Sequence, residues 1–222
     1  MSIGKIHLFF QVKLYLFIQW LKNLKYYLNI KFLFFDLGFS FIYFFLNPFR
    51  ISKKFLAKKF NKKIYDYGET PLIEMEKIVN LCSLKSEDTI LELGAGRGKI
   101  SFWLHYFVKC NVVALEQIPI FVKIGNFFIK VFRIKKFKFL CEDFLDYNLK
   151  DLSVIYLYGT TLSDEKIKIL INKFKKLPSS VKIITISYSL REYDKSFSLE
   201  KSFDISFPWG KTKAYLNLRR GD

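Results

Sequence analysis

Thr89-Ile90-Leu91-Glu92-Leu93-Gly94-Ala95-Gly96-Arg97-Gly98-Lys99 decides the fold of this chain. Ile90, Leu91 and Leu93 make the short apolar run of a buried strand, and the run stops at glycine. A helix is expected from about Lys99. Glycine suits the intervening turn because it adopts positive φ, and because a missing Cβ lets a ligand approach the backbone. The helix that follows begins with free N–H groups, which favour a carboxylate or phosphate. The spacing is G-x-G-x-G, distinct from the G-x-G-x-x-G of a pyrophosphate-binding turn.

Two more apolar runs end in acids. Val112-Val113-Ala114-Leu115-Glu116 closes on a carboxylate that can accept both ribose hydroxyls. Phe139-Leu140-Cys141-Glu142-Asp143-Phe144 closes on an acidic pair and an aromatic, where Asp143 can accept from an adenine amino group while Phe144 packs on the ring. Glycine loop, acid, then acid with aromatic, each at a strand's C-terminal end, resembles the class I S-adenosylmethionine-dependent methyltransferases over residues 65–219. A dinucleotide-binding or degenerate doubly wound domain is the competing reading. The resemblance implies S-adenosylmethionine as cofactor. It places Glu92, Gly94, Ala95, Gly96 and Gly98 at the methionine and sulfonium end, Glu116 and Gln117 at the ribose, Asp143 and Phe144 at the adenine, and Tyr158 beside them.

Outward from the glycine turn, strands and helices alternate. A loop at residues 65–71 precedes a helix at 72–82, with Thr70 as N-cap and Pro71 at the first helical position. Helices are expected from Pro119 to about Arg133 and over residues 164–176, and further strands over 154–158 and 181–187. Residues 199–206 and 211–218 read as an antiparallel pair joined through Phe207-Pro208-Trp209-Gly210. The fold class is therefore α/β, a doubly wound, mostly parallel seven-stranded Rossmann-like sheet with an antiparallel C-terminal hairpin.

Residues 1–49 differ in kind. They are dense in Phe, Leu, Ile and Tyr and hold no proline before Pro48. Residues 6–31 show a helical pattern broken by polar side chains, which suits a helix in a membrane interface. Residues 32–49 are more apolar, with Asp36 the only charge, yet fall short of the roughly 20 residues that span a bilayer. They could span with help, re-enter, form a hairpin with the first helix, or cap the catalytic domain. Arg50, Lys53, Lys54, Lys58, Lys59, Lys62 and Lys63 follow at once, a basic segment suited to the cytoplasmic side and to anionic headgroups. Three units are expected: a hydrophobic helical segment at 1–49, a basic linker or helix at 50–64 and the catalytic domain at 65–222.

An N-terminal apolar segment, a Tyr67-Gly68-Glu69-Thr70-Pro71 loop and the tail Trp209-Gly210-Lys211-Thr212-Lys213-Ala214-Tyr215-Leu216 narrow the likeness. Together they resemble the small membrane-anchored protein-lysine methyltransferases, the family that includes mitochondrial enzymes modifying ATP synthase c-subunit and adenine nucleotide translocase. That resemblance implies Tyr67, Glu69 and Thr70 closing over the transferable methyl and Tyr158, Gly159 and Thr160 bordering the acceptor. The catalytic set is then Tyr67, Glu69, Thr70 and Tyr158. Gly68-Glu69 departs from the apolar or small residues the family favours there. The implied partners are a protein substrate and an anionic membrane surface, with the catalytic domain in the cytoplasm.

The formal net charge of +17 over 222 residues also invites nucleic acid. An AT-rich coding sequence, rich in Lys, Phe, Ile, Tyr and Asn, would give the same balance with no partner. A base methyltransferase would be expected to carry prolines after the fourth strand to hold a flipped base. The segment here is Tyr158-Gly159-Thr160-Thr161. Lipid or small-molecule methylation and a non-catalytic protein with this fold stay open. Cys82, Cys110 and Cys141 read as reduced core thiols, and the two histidines, His7 and His105, give no metal site.

Overall fold

The apolar runs around the glycine turn become neighbouring strands. The computed structural model describes residues 3–60 and 67–221. Strand β1 (Thr89–Leu93) pairs in parallel with β2 (Asn111–Leu115) on one side and with β4 (Val154–Leu157) on the other. β3 (Phe137–Leu140) extends the sheet beyond β2, and β5 (Lys182–Ile186) extends it beyond β4, both in parallel. The tail forms β6 (Phe197–Phe207) and β7 (Gly210–Arg219), longer than the sequence pattern implies, and β7 joins β5 antiparallel. The order β3-β2-β1-β4-β5-β7-β6 reverses direction between β1 and β4. That reversal opens a crevice at the C-terminal ends of the strands.

Side chains of β1 alternate between two cores. Ile90 faces α4 (Leu72–Leu81), α5 (Lys99–Trp103) and α6 (Pro119–Val131), while Leu91 and Leu93 face α7 (Asp164–Phe174). All four residues of β4 are buried, as a strand covered on both faces requires. A single π turn, Leu104–Val108, follows α5, and a four-residue helix α8 (Leu190–Tyr193), absent from the sequence reading, follows β5. Cys82 and Cys110 are buried, but Cys141 is exposed, because it stands past the end of β3.

The single helix expected over residues 6–31 is broken. α1 (Ile3–Asn23) ends in a 3-10 turn, Leu24–Leu28, and Asn29 starts α2 (Ile30–Phe45) by accepting from the Phe32 N–H at 3.2 Å. The break turns Tyr26 inward against Trp103, with ring centroids 5.6 Å apart. α2 buries Phe32, Phe35, Asp36, Phe39 and Tyr43, one stripe of the helix. Phe35 stacks on Phe102 at 4.2 Å, and Phe39 sits 5.8 Å from Phe128. Asp36 accepts from Tyr27 at 2.8 Å and pairs with Lys99 at 2.9 Å. Asp36 points into the protein, where the Lys99 ammonium and the Tyr27 hydroxyl offset the cost of burying its charge. Among the described residues no single helix is long and apolar enough to cross a membrane; α2 and α3 (Pro48–Phe60) pass that test together, bent by 58°.

One further expectation is corrected. Thr70 does not cap α4: Pro71 occupies that position, and the Thr70 hydroxyl pairs with the buried Tyr156 hydroxyl instead. The basic stretch after Pro48 is α3 as far as Phe60, and its Ser52 and Leu56 are buried against the domain. Lys62, Lys63, Tyr65 and Asp66 lie outside the described residues.

Candidate functional site

The crevice above β1 and β4 encloses about 500 Å³. Its floor is the glycine turn. The Gly94 and Ala95 N–H groups both donate to the Leu115 carbonyl, at 3.0 and 2.8 Å, which ties the turn to the end of β2. Gly94, Gly96 and Gly98 have φ of +75°, +56° and +81°, values that an L side chain resists. Gly94 and Gly96 line the crevice. Gly98 serves packing: a Cβ there would stand 2.8 Å from the Phe139 ring.

Glu116 is buried on the crevice wall. One oxygen accepts from the Gly96 N–H at 2.8 Å and the other from the Ile118 N–H at 2.9 Å. Burial pushes its pKa up to about 7 despite those bonds. Glu92 takes a different place from the one expected. It is buried beneath the turn, where the Ser101 hydroxyl donates to it, and it is not among the residues lining the crevice. Burial pushes its pKa up to about 8.

Phe144 lines the crevice, with its ring 3.7 Å from where a Gly94 Cβ would be. Asp143 stands behind it. Its Oδ1 accepts from the Leu145 N–H at 3.1 Å, and Lys59 Nζ donates to its Oδ2 at 3.0 Å. The same ammonium donates to Gln117 Oε1 at 2.6 Å. Burial works against ionisation of Asp143, but Lys59 and the backbone donor hold it below the usual carboxylate range. Sequence reasoning missed this use of α3. Ser52, Leu56 and Lys59 fall on one helical face; Ser52 and Leu56 wall the crevice while Lys59 clasps its rim. The signal was that spacing, which the run of lysines around it obscured.

The loop before α4 divides between two environments. Tyr67 and Gly68 line the crevice, and the Tyr67 ring lies 3.2 Å from where a Gly96 Cβ would be. The Tyr67 hydroxyl donates to Glu69 and accepts from Arg97 Nε at 3.1 Å. Arg97, a residue of the glycine turn that sequence reasoning left unassigned, grips Glu69 with two donors, one at 2.6 Å. Burial raises the Glu69 pKa, but the guanidinium outweighs it and the carboxyl stays below its usual range. Glu69 is thus a poor proton acceptor, and it lies off the crevice wall, as does Thr70. Tyr158 is on the wall. Trp209 Nε1 donates to its hydroxyl at 3.3 Å, which brings the β6–β7 hairpin tip over the loop after β4. Gly159 and Thr161 line the crevice beside it. Among the described residues no cluster of His, Cys, Asp or Glu could hold a metal ion.

No protein-family profile matches the sequence, and no curated protein sequence matches it. Solved structures do match. An RNA methyltransferase from Salinibacter ruber, crystallised with S-adenosyl-L-homocysteine, superposes with a TM-score of 0.59 at 17% identity, over 70% of this chain and 96% of that one. A point mutant of MtNAS in complex with S-adenosylmethionine gives 0.56 at 11% identity, over 68% of this chain and 62% of that one. The present chain thus spans less than two thirds of that protein. The [4+2]-cyclase SpnF gives 0.56 at 10% identity, over 68% of this chain and 80% of that one. The fold is the Rossmann-like fold of class I methyltransferases, with the antiparallel C-terminal hairpin. A cyclase on the same fold means that the reaction has to be argued from the site.

Proposed function

We propose that this protein is an S-adenosylmethionine-dependent methyltransferase that works at a membrane surface on the cytoplasmic side and methylates a lysine amine of a protein. The observation that carries the cofactor assignment is the crevice itself. A glycine turn at positive φ meets a buried Glu116 and an apolar pair, Ile118 and Phe144, in about 500 Å³. That volume is in the range of pockets for small organic ligands. Gly94 and Gly96 would receive the amino-acid portion, Glu116 the ribose hydroxyls, and Ile118 with Phe144 the adenine ring. S-adenosylmethionine, when bound, supplies a sulfonium methyl whose C–S bond electrons return to sulfur as an amine lone pair forms the new C–N bond. The chain's residues have to present that amine neutral and in line, which is where most of the rate gain of such a transfer is available. An ammonium entering from water gives one proton back to water first. Apolar and aromatic surroundings ease that loss by disfavouring the charged form.

Membrane association rests on the outer faces of α1 and α2, where Phe17, Trp20, Phe34, Phe41 and Phe44 are exposed, and on the exposed Arg50, Lys54 and Lys58 of α3. A second reading, methylation of RNA, draws on the net charge of +17 and on the likeness to the Salinibacter ruber enzyme. One experiment separates them: labelled S-adenosylmethionine is incubated with the protein and with membrane, soluble protein and RNA fractions of cells. Label in membrane protein supports the first reading. Label in RNA replaces it with the second, and no binding of S-adenosylmethionine by calorimetry removes both.

A further inference from the structure

Lys59 fixes which end of the Gln117 amide looks into the crevice. An ammonium has only donors, so the amide atom that meets it at 2.6 Å has to be Oε1. Gln117 lines the crevice, and with its oxygen held by Lys59 at the rim it has only the two N–H donors of Nε2 left to offer. Among the described residues no protein group accepts from them. Lys59 is itself held. Its ammonium pairs with Asp143 Oδ2 at 3.0 Å, while Asp143 Oδ1 accepts from the Leu145 N–H at 3.1 Å. Asp143 thus has a partner on each oxygen and lies off the crevice wall, whereas Gln117 is on it. Carboxylate, ammonium and amide form one chain that runs from the loop after β3, through α3, to the loop after β2. Glu116, Gln117 and Ile118 are consecutive, and all three line the crevice. Where Glu116 meets the ribose and Ile118 the adenine ring, Gln117 stands at the join of sugar and base.

We propose that Gln117 reads the base of the cofactor by donating an N–H to adenine N3, that Lys59 is the positioning residue that turns the amide this way, and that Asp143 anchors Lys59 and leaves the exocyclic amino group unread. The inference rests on the methyltransferase reading above and concerns how that crevice chooses its cofactor. N3 is the ring acceptor on the sugar edge of adenine, so a donor beside the ribose acid meets it. The exocyclic amino group sits on the far edge of the ring and needs an acceptor. The carboxylate available for it, Asp143, is engaged by Lys59 and Leu145 instead. Neighbouring wall residues then divide the work by their hydrogen-bonding chemistry: an ionised Glu116 only accepts, which suits hydroxyls, and the held Gln117 only donates, which suits a ring nitrogen. The ligand class that follows is a purine nucleoside carrying the amino-acid chain on sulfur, with an N3 lone pair and either an amino or an oxo group at C6.

The test is calorimetry on the full chain in non-ionic detergent with three thioethers: S-adenosyl-L-homocysteine, its inosyl analogue with oxo in place of amino, and its 3-deaza analogue with C–H in place of N3. The wild type is expected to bind the inosyl analogue within about threefold of the adenosyl compound, and the 3-deaza analogue roughly tenfold or more weakly, as a lost hydrogen bond with its donor left unpaired implies. Gln117→Glu keeps an oxygen for Lys59 but has no N–H to offer, and Lys59→Met leaves the amide free to turn. In both variants the gap between the adenosyl and 3-deaza compounds is expected to close to within about threefold. A merely structural role for either residue would weaken all three ligands alike and keep the gap, which would overturn that residue's part in reading N3. Thermal melts report whether the variants fold, and the wild-type series decides the proposal if one does not. Equal binding of the 3-deaza analogue, or a roughly tenfold penalty for the inosyl one, overturns the reading at N3 and leaves the methyltransferase reading standing. A folded chain that binds none of the three removes both.

Discussion

Glu92 stands next to last in β1 and Glu116 just past the end of the neighbouring β2, and burial is the largest influence on both. In the unfolded chain Glu92 ionises in the usual carboxylate range. In the folded protein it keeps its proton up to about pH 8. Between those limits the folded state binds more protons than the unfolded one, so stability falls as pH rises through that window. Glu92→Gln carries no charge at any pH and is expected to lose less stability than the wild type between about pH 5 and about pH 8. Thermal melts at both values check this, and a wild type equally stable at the two would refute it. For Glu116 the informative change is also to Gln, which keeps one oxygen for the Gly96 or Ile118 N–H. Replacement by Ala would leave both donors unpaired and confuse binding with folding. Glu116→Gln is expected to weaken S-adenosylmethionine by roughly tenfold or more in calorimetry, as loss of a charge-assisted pair of hydrogen bonds implies. Unchanged affinity would remove Glu116 from the ribose site.

At the scale of the element, α2 is the helix with two apolar media to choose from. Its inner stripe fits Phe102, Tyr106 and Phe128 and closes one face of the domain. Phe35→Ala is therefore expected to cost about 3–5 kcal/mol, the usual cost of deleting a buried aromatic ring. Phe41→Ala, on the exposed face, is expected to change stability by less than about 0.5 kcal/mol while lowering binding to lipid vesicles. Denaturant titration beside vesicle sedimentation separates the two faces; a reversed pattern would mean that α2 is oriented otherwise. Removing residues 1–49 would strip the cover from Trp103 and Phe102, so a truncated chain is expected to lose solubility along with its helices.

Over the whole molecule, exposed apolar side chains of α1 and α2 are followed in the chain by exposed basic ones of α3. α3 turns Ser52 and Leu56 to the crevice and Arg50, Lys54 and Lys58 to solvent. Binding to vesicles containing anionic lipid is expected to exceed binding to neutral vesicles and to weaken as salt is raised, since screening reaches about 10 Å at 0.1 M. Co-sedimentation across a salt series checks it. A full-length protein that stays in the supernatant under all conditions would refute membrane association.

The mostly parallel sheet with its C-terminal hairpin, the glycine turn and the acids after β2 and β3 were legible from sequence. A strand buried on both faces needs a continuous apolar run, and a turn at positive φ needs glycine, so both leave local marks. Glu92 is set back from the crevice wall, because strand alternation turns it to the α5 side, toward Ser101. Thr70 failed as a cap because Tyr156, 86 positions away, offered its hydroxyl a buried partner. Composition alone likewise left open whether α2 would meet lipid or protein, since both are apolar. Folding decided it by bringing Asp36 to Lys99 and Phe35 to Phe102, and by laying Lys59 across Gln117 and Asp143. Those pairings join residues far apart in the chain, and no local pattern encodes which distant partner a charge or a ring will find.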